Sequence, residues 1–225
     1  MPDKSRPRVA DDAREFRRRL LHWFRHHGRD LPWRRTRDPY RVAVSEFMLQ
    51  QTPVSRVEGF YQGFLARFPT IHHLAEAPPV AVREAWEGLG YYRRAHHLHA
   101  LAREVVATRD GVMPHDPAEL RQLPGVGRYT AGAIACFAFE RREAAVDTNV
   151  SRVIRRAFHP RTSRAAKGEA RIWKTAEALV PHRGRDAWSF NQAIMELGAL
   201  VCTARIARCE ICPVRGACKT GKAGN

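Results

Sequence analysis

Hydrophobic positions recur along the chain at intervals of three and four, the spacing of one face of an α-helix. Phe16, Leu20, Trp23 and Phe24 make one apolar stripe, and Gly28 follows as its stop. Asp38-Pro39 has the form of a helix start, N-cap then first helical residue, and predicts a helix to about Gln51, ahead of Pro53. Leu98, Leu101, Ala102, Val105 and Val106 predict another, and Asp116-Pro117 opens a further one. Ala131 to Phe139 is apolar nearly all round, as in a helix at the centre of a core. Val150, Val153, Ile154 and Phe158 follow Asp147 at helical spacing, and two more helices are expected over 171–180 and 191–201. The two-residue alternation of a half-buried strand is missing, as are internal repeats and low-complexity tracts. The pattern predicts an all-α fold.

Composition narrows the picture. A chain of 225 residues with 44% hydrophobic content can build a packed core, which excludes wholesale disorder. No apolar run approaches the roughly 18 residues of a membrane span, and the charged N-terminus lacks the apolar stretch of a signal peptide. Membrane association and secretion are therefore not expected, and a cytoplasmic protein is. Lys and Arg number 39 against 23 Asp and Glu, a formal charge of +16. Such an excess fits a polyanionic partner, although a generally basic proteome would also produce it.

The five cysteines are unevenly spread. Cys136 stands alone in an apolar stretch and reads as a small core residue. Cys202, Cys209, Cys212 and Cys218 crowd together with gaps of six, two and five residues. Disulfides would be distributed to close loops through the fold, so the crowding points to a metal site in a reducing compartment. Zinc sites usually use two close-spaced pairs, and only the middle pair fits that pattern. Wider flanking gaps suit a loop wound round a larger object, a [4Fe–4S] cluster on four thiolates, with zinc as the alternative. Four cysteinates around a 2+ cluster would bring the working charge to about +14.

Leu123-Pro124-Gly125-Val126-Gly127 lies between a helix ending near Gln122 and one starting near Tyr129. Its glycines permit positive φ and let backbone amides approach a ligand, while the next helix contributes its positive end. The arrangement suits a helix–hairpin–helix cradle for DNA phosphates, which positions a protein without reading sequence. An ordinary helical connector is the plainer alternative.

Two carboxylates have contrasting surroundings. Glu46 shares a helix face with Val42 and Leu49, where an apolar stripe would raise its pKa and suit a general acid. Asp147 sits at a helix start, where N–H groups favour the ionised form. Acid plus electrostatic stabiliser is what cleavage of a glycosidic bond requires. Taken singly, Asp147 could be only a cap and Glu46 only a buried partner of an arginine.

Together, Ser45-Glu46-Phe47-Met48-Leu49-Gln50-Gln51-Thr52, Gly88-Leu89-Gly90-Tyr91-Tyr92, Leu123 to Ile134, Val146-Asp147-Thr148-Asn149-Val150 and the cysteine loop resemble the MutY-type adenine DNA glycosylases. These belong to the endonuclease III-like helix–hairpin–helix superfamily, and the resemblance covers roughly residues 12–218. It implies a two-domain fold, a six-helix barrel domain over 30–140 and a cluster domain combining 1–29 with 141–225. The cleft between them would hold a flipped base. It also implies a monomer that acts on double-stranded DNA, removing adenine mispaired with 8-oxoguanine or guanine. Glu46 matches the general acid that protonates adenine at N7, and Asp147 the carboxylate that stabilises, or transiently bonds to, the sugar carbon. Tyr129 and Asn149 match supporting positions. Gln51 and Tyr91, beside Gln50, match a wedge entering the base stack, which fits the physics of base flipping. Leu31, Trp33, Arg34 and Gln192 match the adenine pocket wall. Leu123, Gly125, Val126 and Gly127 match the DNA-binding hairpin. The four cysteines match the ligands of one [4Fe–4S] cluster, supporting a basic loop with Arg205, Arg208 and Arg215.

Strand-cutting relatives carry a lysine two residues past the second hairpin glycine, for Schiff-base chemistry. Tyr129 stands there in this chain, so hydrolysis without efficient lyase activity is expected. Family members usually continue into a Nudix-like domain that reads 8-oxoguanine, whereas here seven residues follow Cys218. Preference between 8-oxoguanine and guanine is therefore open. Two other readings stay in view. A thymine or uracil glycosylase would share the hairpin, the tyrosine and the cluster, and a lesion sensor would share the scaffold without the chemistry.

Overall fold

The computed structural model describes residues 6–163 and 165–223, and their regular structure is helical. The only sheet-like pairing among them is an isolated bridge between Cys202 and Ala207. None of their helices is long and apolar enough to cross a membrane. The chain opens with α1 (Arg6–His27) and divides into two compact units, residues 30–140 and residues 1–29 with 141–225.

The 30–140 unit contains α2 (Pro39–Leu49), α3 (Val54–Arg67), α4 (Ile71–Glu76), α5 (Pro79–Ala85), α6 (Arg93–Arg109), α7 (Pro117–Leu120) and α8 (Arg128–Phe139). The Asp38 carboxylate accepts from the Arg41 N–H at 2.9 Å, closing one orphan donor at the start of α2. Asp116 does the same for α7 through the Ala118 N–H at 2.7 Å. α2 stops at Leu49, earlier than its apolar pattern suggests, because Gln50 leaves helical geometry and Gln51 takes a positive φ of 56°. Thr130 to Ala138 of α8 are all buried. That stretch is rich in alanine, and the small side chains let α2 pack closely alongside. The Tyr40 hydroxyl donates to the Phe68 carbonyl at 2.7 Å and the Tyr61 hydroxyl to that of Arg41 at 3.2 Å, joining α2 to the middle and the C-terminal end of α3. Phe64 meets Phe68 and Trp86 edge-on, which fills the space between α3 and α5.

The other unit combines α1 with α9 (Thr148–Phe158), α10 (Ala166–Leu179), α11 (Gly184–Leu200) and the short α12 (Lys219–Ala223). α10 and α11 begin earlier than their apolar stripes indicate, since their first turns are polar. Phe16 of α1 packs edge-on against Phe158 of α9 at 5.1 Å. Arg29 grips the wholly buried Glu196 of α11 through Nε at 2.8 Å, Nη2 at 2.9 Å and its own backbone N–H at 2.9 Å. This bidentate pairing satisfies a buried carboxylate and anchors the end of α1 to α11.

Candidate active site and DNA-binding hairpin

In the 30–140 unit, α2 places Glu46 where only 4% of the residue is exposed. The Tyr129 hydroxyl, from the first turn of α8, donates to Glu46 Oε2 at 2.7 Å. A buried carboxyl in direct hydrogen bond with a phenol can pass or hold a proton without bulk water. Packing of α2 on α8 fixes both partners.

The hairpin runs from the end of α7 to the start of α8. Leu123 and Val126 are buried and anchor it, while the Val126 N–H closes the turn on the Leu123 carbonyl at 3.2 Å. Gly125 takes φ +74°, and a Cβ there would lie 2.6 Å from His97 Cβ and 2.9 Å from Phe47 Cε1. Gly127 departs from the expectation of two positive-φ glycines. It is the extended N-cap of α8 at φ −86°, and a Cβ there would meet nothing within 4 Å. Gly125 thus serves the turn, whereas Gly127 keeps the approach to the first amides of α8 clear of side chain.

Gln50 is half-buried, while Gln51 and Tyr91 are exposed, Tyr91 by 59%, on two short loops of the same unit. Leu31 and Trp33 are buried around a 3-10 turn, with Trp33 edge-on to Tyr61, and Arg34 beside them is half-buried. The pocket-wall candidates of this unit thus share one segment with Leu31 as its cap.

In the other unit, Asp147 caps α9 as expected, its Oδ1 accepting from the Val150 N–H at 2.7 Å. Its Oδ2 accepts from Asn149 Nδ2 at 2.8 Å. The titration differs from the sequence expectation. Burial raises the carboxyl's pKa and outweighs the Val150 and Asn149 hydrogen bonds and the positive charge of Arg152, which all favour the ionised form. Arg152, missed in the sequence, extends the network. Its Nη2 donates to Asn149 Oδ1 at 2.6 Å and to the Gly198 carbonyl at 2.7 Å, and its Nε donates to the Cys202 carbonyl at 2.8 Å. Gly198 of α11 lies so near α9 that a Cβ would sit 2.6 Å from Asn149 Cβ. Asn191, also missed, is buried and holds the segment leading to Asp147, accepting from the Ala145 N–H at 3.0 Å and donating to the Glu143 carbonyl at 2.8 Å. Gln192 follows it in α11, buried.

Cys202, Cys209, Cys212 and Cys218 line one apolar pocket with Val153, Leu197, Val201 and Val214. Burial and the neighbouring cysteines push the Cys212 thiol up to about 11 and raise that of Cys218. Four thiols gathered on one apolar pocket match the soft donor set of an iron–sulfur cluster. Among the described residues no group of three or more His, Cys, Asp or Glu closes in far enough to hold a single metal ion. Arg156 Nη1 donates to Cys202 Sγ at 3.3 Å and to the Thr203 carbonyl at 2.7 Å. The turn after Cys202, closed by Thr203 and the Cys202–Ala207 bridge, presents exposed Arg205, Ile206 and Arg208, while Arg215 is half-buried. Cys136 is fully buried in α8, away from this set in sequence and in the other unit.

An all-α scaffold with a glycine hairpin opening a helix, and a phenol-bound carboxyl just beyond it, defines a helix–hairpin–helix protein. Residues 44–178 match the family described as HhH-GPD superfamily base excision DNA repair protein. The chain is 48% identical over 196 residues to an adenine DNA glycosylase of Mycolicibacterium smegmatis, covering 87% of this chain and 66% of that protein. It is 45% identical over 214 residues to that of Mycobacterium tuberculosis, covering 95% and 68%, and 44% identical to the human one, covering 94% and 40%. A thermostable thymine-DNA glycosylase superposes with a TM-score of 0.87 at 31% identity, covering 95% of this chain and 98% of that one. An endonuclease III trapped on DNA shares the fold, with a TM-score of 0.79 at 24% identity over 95% and 97%. The chain belongs to the HhH-GPD superfamily of base excision DNA repair proteins. It spans about two thirds of the length of its mycobacterial relatives.

Proposed function

We propose that this chain is a monofunctional DNA glycosylase that hydrolyses the N-glycosidic bond of adenine mispaired with 8-oxoguanine or guanine in duplex DNA. The observation that carries the reading is the buried Glu46 with the Tyr129 hydroxyl 2.7 Å from its carboxylate. Glu46 supplies the proton that lets adenine leave, and Tyr129 holds that carboxyl in register. Asp147, fixed by Val150 and Asn149, supplies negative charge to the sugar as it becomes oxocarbenium-like. For that it must be ionised, and Arg152 behind Asn149 opposes the cost of burying the charge. Gln51 and Tyr91 fill the stack when the adenine swings out. Leu31, Trp33, Arg34 and Gln192 contact the extruded base. The hairpin from Leu123 to Gly127 holds phosphates through backbone amides.

The four cysteines carry one [4Fe–4S] cluster in this reading. Its chemistry when bound is to draw the four thiolates onto one cationic centre, which organises the loop bearing Arg205 and Arg208 against DNA. The protein works as a monomer among the cell's DNA. A second reading, release of thymine or uracil from G:T or G:U mispairs, rests on the structural likeness to the thymine-DNA glycosylase. The sequence is nearer to the adenine enzymes, at 45–48% identity against 31%.

Single-turnover assays on duplexes carrying A:8-oxoguanine, A:G, T:G and U:G separate the two. Adenine release that Glu46→Gln abolishes supports the proposal, and release of thymine or uracil alone refutes it. Borohydride trapping tests the hydrolytic assignment. A phenol at position 129 cannot form an imine, so a strong covalent adduct would contradict it.

A further inference from the structure

Four non-glycine residues have positive φ among the described residues: Gln51, Tyr91, Asp110 and Glu140. Asp110 and Glu140 are left-handed C-caps of α6 and α8, an ordinary use of that conformation. Gln51 and Tyr91 are not caps themselves: Gln51 follows Gln50, the C-cap of α2, and Tyr91 precedes Tyr92, the N-cap of α6. They lie in separate loops, at φ +56° and +49°, and their side chains are exposed. A left-handed conformation is strained for a residue with a Cβ, so the surroundings must hold each of them in place.

One side chain touches both loops. Arg94, in the first turn of α6, is 7% exposed. Its Nη1 donates to the carbonyls of Phe47 at 3.0 Å, Met48 at 2.7 Å and Gln50, gathering the end of α2 and the loop behind Gln51. Its Nη2 donates to Thr52 Oγ1 at 2.9 Å, beyond Gln51, and to the Gly90 carbonyl at 3.1 Å, before Tyr91. Its backbone N–H donates to the Tyr91 carbonyl at 2.9 Å. The guanidinium lies against the rings of Trp86 and Tyr91, 5.5 and 5.3 Å from their centroids, while Trp86 Nε1 donates to the Gly90 carbonyl at 3.2 Å. A planar fork of donors can join two loops in this way, and a lysine ammonium cannot span the same set of acceptors.

We infer that Arg94 is the positioning residue of the intercalating pair, a single guanidinium that locks the Gln51 loop to the Tyr91 loop so that both side chains enter the base stack as one preset wedge. The inference rests on the proposed role of Gln51 and Tyr91. Without the clamp, each loop relaxes out of its left-handed conformation, and extrusion of the adenine must bear the cost of restoring it. Chemistry at Glu46 and phosphate binding by the hairpin are left intact.

A double-mutant cycle on the full chain isolates this effect. Arg94→Lys slows single-turnover adenine release by about tenfold or more, as a misplacement of about an ångström does. In a Gln51→Ala/Tyr91→Ala background the same change costs less than about twofold, because there is no wedge left to position. Fluorescence of 2-aminopurine beside the mispair, which reports unstacking, falls with Arg94→Lys, while affinity for undamaged duplex is unchanged. Thr52→Val, which removes one tie and keeps the buried charge, repeats the background-dependent loss at smaller size and covers the case in which Arg94→Lys does not fold. Equal fold-losses in both backgrounds overturn the inference alone. Wild-type release by the Gln51→Ala/Tyr91→Ala chain overturns the wedge reading and the inference with it.

Discussion

Gly198→Ala is a one-carbon change in α11, yet it tests how tightly Asp147 must be held. The added Cβ would lie 2.6 Å from Asn149 Cβ and 3.0 Å from the Asn149 carbonyl oxygen. Ordinary van der Waals contact begins at 3.4 Å, so α9 and α11 must separate locally by about 0.8 Å. Overpacking of this kind costs about 1–3 kcal/mol. For a chain of this size that corresponds to a fall in melting temperature of roughly 2–12 °C. The displaced residue is the one that bonds Asp147 Oδ2 at 2.8 Å and receives Arg152 at 2.6 Å. A misplacement of about 1 Å at a reacting group costs up to about 100-fold in rate. The assay is single-turnover release of adenine opposite 8-oxoguanine, with thermal melting and affinity for undamaged duplex measured on the same preparation. Release should slow by ten- to a hundredfold, as an order of magnitude, with duplex affinity unchanged. A lower melting temperature with a wild-type release rate would refute the reasoning, since the strain would then have been absorbed without moving Asp147.

Further outcomes follow from the same geometry. Gly125→Ala, placed at φ +74° against His97 and Phe47, should lower both melting temperature and duplex affinity; Gly127→Ala, with open space around its Cβ, should lower affinity and leave melting unchanged. If the two variants behave alike, the division of labour in the hairpin is wrong. Because burial raises the Asp147 pKa, the folded state is favoured when the group is protonated; that contribution is present below about pH 3.8 and lost as pH rises through the folded value. Asp147→Asn should therefore abolish release yet melt higher than wild type at neutral pH, with the gap closing below pH 4. The acid limb of the rate profile should lie above the ordinary carboxylate range and move further up in Asn149→Ala, which loses a hydrogen bond to the ionised form. Iron analysis should find about four irons per chain with matching sulfide, both lost in Cys212→Ser; stoichiometric zinc in place of iron would sink the cluster assignment.

Helix starts were the most legible feature of the chain because capping is local chemistry. Asp38, Asp116 and Asp147 each bond an N–H two or three residues ahead, and each lies beside the apolar stripe it introduces. Helix ends and polar first turns were less legible. α2 stops at Leu49 for a loop whose conformation is held by Arg94, more than forty residues away, through carbonyls that have no side-chain identity. Arg94 itself is one of 39 basic residues, and nothing in its neighbourhood separates it from solvent-facing arginines such as Arg93. Gly198, within the apolar 191–201 stripe, carries no signal either, because its reason is the backbone of another helix.

Asp147 brings the two kinds of information into conflict. Its local setting at a helix start favours the ionised carboxylate, and those stabilising contacts are present: two amide donors, one from the backbone and one from Asn149, with Arg152 behind. Burial, a property of how the rest of this unit packs around the start of α9, outweighs all of them. A carboxylate that were fully comfortable in its free state would gain little by meeting a cationic sugar, since its charge would already be satisfied. One held ionised against a desolvation cost gains most when positive charge develops beside it, which lowers the barrier instead of the ground state. In the role proposed for Asp147, the Asn149–Arg152 chain keeps the carboxyl ionised and aimed, and the packing around it keeps that charge under-satisfied.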